Sequence, residues 1–118
     1  MFGREKFSYR SSSEDGKRVA SGSADKTVQV WDAADGGNVF TYYGHSDWVS
    51  SVLWSPDGKR IASGSDYGAV QVWNASDGSQ PFTYTGHSDI VTSVAWSHNG
   101  QRIASGSFDK TVQVWQAV

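Results

Sequence analysis

The 118-residue sequence has no cysteine, which excludes disulfides, thiolate metal sites and thiol nucleophiles. Two prolines are too few for a proline-rich linker, and three histidines leave little from which to build a metal site. Neither sign of charge dominates. Ten Lys and Arg stand against twelve Asp and Glu, so no basic surface for nucleic acid or an anionic membrane is predicted. No apolar run is long enough to span a bilayer, and the opening MFGREKFSYR lacks the apolar stretch of a secretory signal. The expectation is a soluble, cytoplasmic protein without a cofactor.

What the chain has in quantity is glycine (thirteen residues), serine and tryptophan (six residues), a mixture suited to short strands joined by tight turns. It also repeats. Trp31, Trp73 and Trp115 recur at intervals of 42, as do Trp54 and Trp96, and the pairs Gly44-His45 and Gly86-His87. One period divides into four short segments: WVSSVLW (48–54), RIASGS (60–65), VQVW (70–73) and QPFTYT (80–85), separated by SPDGK, SDYGA and NASDG. Brief runs rich in Val, Ile, Trp and Tyr between Asp-Gly signals read as antiparallel strands, and no sustained helical period competes with them. The RIASGS segment is small or apolar on both faces, as suits a four-stranded sheet pressed between neighbouring sheets. Such a sheet cannot bury both faces alone and needs others stacked on it.

The segments GHSDWV and GHSDIV, SPDGKRIASGS and SHNGQRIASGS, and DKTVQVWD, GAVQVWN and DKTVQVWQ resemble the WD-repeat β-propeller family. The resemblance covers residues 7–118 and implies an all-β fold. It gives just under three propeller blades of four antiparallel strands in one partial propeller over 1–118. The units fall at about 7–43 (truncated), 44–85 and 86–118, the last without an outer strand of its own. The closeness of the copies is similar to bacterial WD-repeat arrays of near-identical blades, or to a design based on one.

The resemblance also implies a structural hydrogen-bond chain of Trp, Ser, His and Asp in each blade. The third copy has all four members, His87, Ser105, Asp109 and Trp115. The second has His45, Ser63 and Trp73, with Tyr67 where Asp is expected. The first has Ser21, Asp25 and Trp31 but no histidine. Such a chain satisfies buried polar groups and ties loop to strand. A His and an Asp in one unit could read as a catalytic dyad, yet no nucleophile stands apart from the repeating serines, and no enzyme activity is expected. His98, beside Asn99-Gly100, reads as a solvated turn residue rather than a metal ligand.

The N-terminal segment has two placements. Phe-Ser-Tyr at 7–9 resembles the fourth-strand segments FTYY and FTYT, so Lys6, Phe7, Ser8, Tyr9 and Arg10 form a candidate ring-closing strand for the last blade. Alternatively 7–12 fills the innermost slot of the first blade, which would put Arg10 and Ser12 where Val52 and Trp54 lie on a buried face. The cost of burying an unpartnered guanidinium favours the first placement.

Just under three blades leave sheet faces open, which predicts association of the chain with itself. Head-to-tail stacking closes six blades from a dimer or nine from a trimer, and the trimer is preferred. The resemblance further implies a partner-binding face built from the loop before the first strand and the turn between the second and third. That face presents Trp48, Asp66, Tyr67, Ile90 and Phe108 to an unidentified protein. Trp48 and Ile90 could instead pack inward at the start of their strands. A self-assembling fragment or engineered unit with no specific partner is the alternative, and a carbohydrate-binding propeller is a third, weaker one, because the loop aromatics do not recur in every copy.

Overall fold

A computed structural model describes residues 9–117. Eleven strands are present among the described residues: β1 (Tyr9–Ser12), β2 (Arg18–Gly22), β3 (Val28–Asp32), β4 (Phe40–Tyr42), β5 (Val49–Trp54), β6 (Arg60–Ser65), β7 (Val70–Asn74), β8 (Phe82–Tyr84), β9 (Val91–Trp96), β10 (Arg102–Ser107) and β11 (Val112–Gln116). They form three antiparallel meanders, β1-β2-β3-β4, β5-β6-β7-β8 and β9-β10-β11. A single short 3₁₀ turn, Asp66–Gly68, is the helical content among the described residues, and no helix is long and apolar enough to cross a membrane.

The turns follow from side-chain chemistry. In the β5–β6 turn, Asp57 Oδ1 accepts from Ser55 Oγ at 2.7 Å and from the Lys59 amide at 2.9 Å. Gly58 then takes the left-handed conformation (φ 73°) that lets its amide close back on the Ser55 carbonyl. The same device recurs at Ser13 and Asp15 and, with Asn99 in place of Asp, at Ser97. This local chemistry fixes the register, which repeats: Ile61 opposes Trp73 in the second sheet as Ile103 opposes Trp115 in the third and Val19 opposes Trp31 in the first.

The sheets stack through two cores. Ala20, Val28 and Val30 of the first sheet, with Tyr42 and Phe40 from its outer strand, pack on Val49, Val52, Trp54, Ile61 and Trp73 of the second. One period later, Ala62, Val70 and Val72 with Phe82 and Tyr84 pack on Val91, Val94, Trp96, Ile103 and Trp115. The interface is therefore built twice from equivalent residues. Its outer part is aromatic: Tyr42 stacks on Trp73 with centroids 4.1 Å apart, and Tyr84 on Trp115 at 4.4 Å. Each of these tyrosine hydroxyls meets a glutamine of the next sheet, Gln71 at 2.5 Å from Tyr42 and Gln113 from Tyr84.

The ring-closing assignment is corrected. Lys6, Phe7 and Ser8 lie outside the described residues, but Tyr9 and Arg10 belong to β1, which pairs with β2 in the innermost slot, Tyr9 opposite Gly22 and Arg10 opposite Ser21. The objection to that slot was the burial of Arg10 and Ser12. Both are exposed, because no sheet of the described residues packs on that face of the first blade. On the other face, Ser11 receives the indole N–H of Trp54 on its carbonyl at 2.9 Å, so the inner slot satisfies a buried donor of the second sheet.

Candidate functional site

Within the third sheet, His87 joins strand to turn. Its Nε2 lies 2.7 Å from Ser105 Oγ, which accepts the indole N–H of Trp115 at 3.0 Å. Its Nδ1 lies 2.9 Å from Asp109 Oδ2. Asp109 also accepts from the Thr111 hydroxyl and amide and from the Ser88 amide, and these bonds, with that of Thr111 first, hold its carboxyl well below the usual carboxylate range. The second sheet repeats part of this. His45 Nε2 lies 2.6 Å from Ser63 Oγ, which takes the Trp73 indole at 3.0 Å, while His45 Nδ1 is buried with no partner. Tyr67 stands at the Asp109 position with φ 72° and points outward, 81% exposed. Burial alone lowers the His45 pKa to about 4, so the ring is neutral at neutral pH. In the first sheet Asp25 is bonded to Thr27 at 2.6 Å, and Ser21 and Trp31 are half-buried and not joined to each other.

These groups leave no reactive arrangement free. Ser63 and Ser105 are fully buried with their hydroxyls committed to an indole and an imidazole. The arrangement braces the outer turn against the third strand.

The face above these chains carries an open groove of roughly 440 Å³. Val49, Val91 and Ile90 form its apolar floor, with Trp48, Phe108, Ala24 and Asp66 around it. Trp48 is 46% and Phe108 64% exposed, and Ile90 is half-buried. Backbone bonds fix the groove walls: the Asp66 amide donates to the Trp48 carbonyl at 3.0 Å and the Phe108 amide to the Ile90 carbonyl at 2.9 Å. Of the five residues expected on this face, Trp48, Asp66, Ile90 and Phe108 converge on the groove, while Tyr67 stands outside its lining. Asp66 has its carboxyl pKa raised, first by partial burial and then by Asp47 and Asp89. Sequence reasoning missed that convergence of three carboxylates. The recurrence of Asp47 and Asp89 in the GHSD segments was the available signal.

Compared with known proteins, the family described as "WD domain, G-beta repeat" matches residues 10–32, 36–74 and 78–116, one match per sheet. The chain belongs to the WD-repeat family. Ribosome assembly protein 4 of Chaetomium thermophilum is 49% identical over 39 residues, 33% of this chain and 8% of that protein. A Lissencephaly-1 homolog of Branchiostoma floridae is 44% identical over 41 residues, 35% and 10% respectively. The peroxisomal targeting signal 2 receptor of Mus musculus is 47% identical over 38 residues, 32% and 12%. This WD-repeat chain thus spans about a tenth of the length of the curated relatives it matches, and each match is about one blade long. Its three sheets are WD-type blades of a propeller that is not closed, and proteins of this family typically serve as interaction scaffolds.

Proposed function

We propose that the chain is a non-catalytic WD-repeat scaffold that assembles head to tail with copies of itself into a closed propeller and offers the groove beside Trp48, Ile90 and Phe108 to a protein partner. One observation carries this reading. Val112 and Val114 are 74% and 63% exposed, whereas their counterparts Val28, Val30, Val70 and Val72 are at most 1% exposed beneath a neighbouring blade. An apolar sheet face of this kind favours association over solvation. A trimer of nine blades is preferred to a dimer of six, because fewer blades demand a tighter turn between each pair. The groove suits a protein because large apolar anchors stand on a rigid, hydrogen-bonded frame, which is the make-up of an interaction hot spot. The names of two relatives, an assembly protein and a targeting-signal receptor, fit a binding role.

Light scattering on a sizing column tests the assembly. The expected result is a species at three times the chain mass, twice that mass would make the ring six-bladed, and the bare chain mass at every concentration would refute self-assembly. Pull-down with wild type and Phe108→Ala tests the groove. A partner held by the first and lost by the second, at unchanged melting temperature, is expected, and equal retention would refute the site. Binding on a glycan array would transfer the function to carbohydrate.

A further inference from the structure

The self-assembly reading leaves open which surfaces meet. The two blade-to-blade interfaces inside the chain answer this by superposition of the repeat. Every interface has a giving face (Ala20, Val28, Val30, then Ala62, Val70, Val72) and a receiving face (Ile61, Trp73, Ala75, then Ile103, Trp115, Ala117). Among the described residues, one example of each has no sheet packed on it. On the third blade, the giving face is Ala104, Val112 and Val114, and on the first, the receiving face is Val19, Trp31 and Ala33. Ala33 is exposed, whereas Ala75 and Ala117 at its place in the next two blades are buried at 4% and 0%.

We infer that these two open faces are the two halves of one joint, and that its occupant is a second copy of this chain, giving face to receiving face. The joint repeats the central part of the two internal interfaces, valines of one sheet on the Ile/Val and Trp of the next. The outer tyrosine stack and the inner indole bond have no counterpart there among the described residues, because the third sheet has three strands and Ser12 stands where Trp54 and Trp96 donate. Val112 and Val114 of one copy cover Val19 and Trp31 of the next, as Val70 and Val72 cover Ile103 and Trp115.

The polar residues that differ at this joint also find a place. Arg60 of the second blade reaches across to the third, donating to the carbonyls of Ala117 at 2.5 Å and Gly100 at 3.2 Å. One period on, exposed Arg102 has the same reach toward the carbonyls of Ala33 and Gly16 of the next copy. Arg10 stands at the place of Val52, and Val52 packs against Gly22, lying 2.8 Å from where a Cβ would be. The joint therefore sets Arg10 against Gly106. There the hydroxyls of Ser93 and Thr92 lie 3.2 and 3.7 Å from the corresponding Cβ position and offer acceptors to the guanidinium. Gly106 supplies the room, and the hydroxyls replace the apolar contact that Val52 makes elsewhere.

The joint is heterologous, since the two faces differ, and this gives it a distinctive test. Val114→Asp disables the giving face and Ala33→Arg the receiving face. Both positions are exposed in the single chain, so circular dichroism and thermal melting are expected to match wild type apart from any loss due to dissociation. Each variant alone is expected to run at the chain mass under conditions where wild type is associated. Mixed in equal amounts, they retain one intact face each and are expected to form a 1:1 heterodimer at twice the chain mass. Wild type at the chain mass throughout would overturn self-assembly itself. Associated wild type with variants that also stay associated, or a mixture that remains at the chain mass, would overturn this joint while leaving self-assembly standing.

Discussion

Replacing serine by alanine at positions 21, 63 and 105 makes one chemical change at three equivalent positions with three different surroundings. At Ser63 the lost hydroxyl strands the Trp73 indole N–H and His45 Nε2, in a ring whose Nδ1 already lacks a partner. Stranding a buried polar group costs about 1–3 kcal/mol, so two such groups put Ser63→Ala at roughly 3 kcal/mol. At Ser105 the Trp115 indole and His87 Nε2 are stranded in the same way, but the imidazole stays anchored through Nδ1 to Asp109 and Trp115 is 8% exposed where Trp73 is fully buried, so the loss falls to about 2 kcal/mol. Ser21 is half-buried and joined to neither an imidazole nor Trp31, so Ser21→Ala stays within about 0.5 kcal/mol. Urea unfolding at one fixed chain concentration, followed by tryptophan fluorescence, measures all three. Hydrogen exchange of the indole N–H groups adds a local readout, in which Trp73 and Trp115 are slow in wild type and speed up only in the variant of their own blade. Equal losses at the three positions, or the largest loss at Ser21, would refute the claim that these bonds, rather than the repeat position, set the energy.

Three further outcomes follow from the same geometry. Because burial lowers the His45 pKa to about 4 from an ordinary 6.5, the unfolded chain binds a proton between those values that the folded chain refuses. Stability is therefore full above pH 6.5 and declines as pH falls toward 4, by up to about 3 kcal/mol, and His45→Gln flattens that part of the urea-midpoint profile. A methyl group at Gly64 would lie 2.7 Å from Val91 Cγ1 across the blade interface, so Gly64→Ala costs about 1–3 kcal/mol by overpacking. Gly106→Ala meets nothing closer than 3.2 Å among the described residues and leaves the single chain's melting temperature nearly unchanged, while weakening association if a second copy covers that face.

The repeat made much of this protein legible before any coordinates. Of the four segments read in one period, 60–65 appears as a strand at those bounds, and 48–54, 70–73 and 80–85 differ at their ends by a residue or two, because strand period and Asp-Gly turns are local properties. The groups around His87 were nameable through the resemblance to WD repeats, which carries over residue by residue because each sits at a fixed offset within one blade. The stack of Tyr42 on Trp73 was not read, although FTY recurs at the 42-residue spacing, since it joins residues of successive blades and depends on how sheets are placed in space. The N-terminal segment was misplaced for a related reason. Likeness to FTYY spoke for an outer strand, but the inner edge of β2 and the indole of Trp54 both needed partners, and β1 supplies them.

The sequence by itself determined the strands, the turns and the period, because backbone preference and side-chain alternation act over a few residues. Only the tertiary structure decided which faces are covered. The segment RIASGS occurs twice without a change, yet in β6 five of its six residues are buried and in β10 two are. The difference lies in the neighbours: β6 has a sheet on each side, β10 on one, and no local signal carries that information.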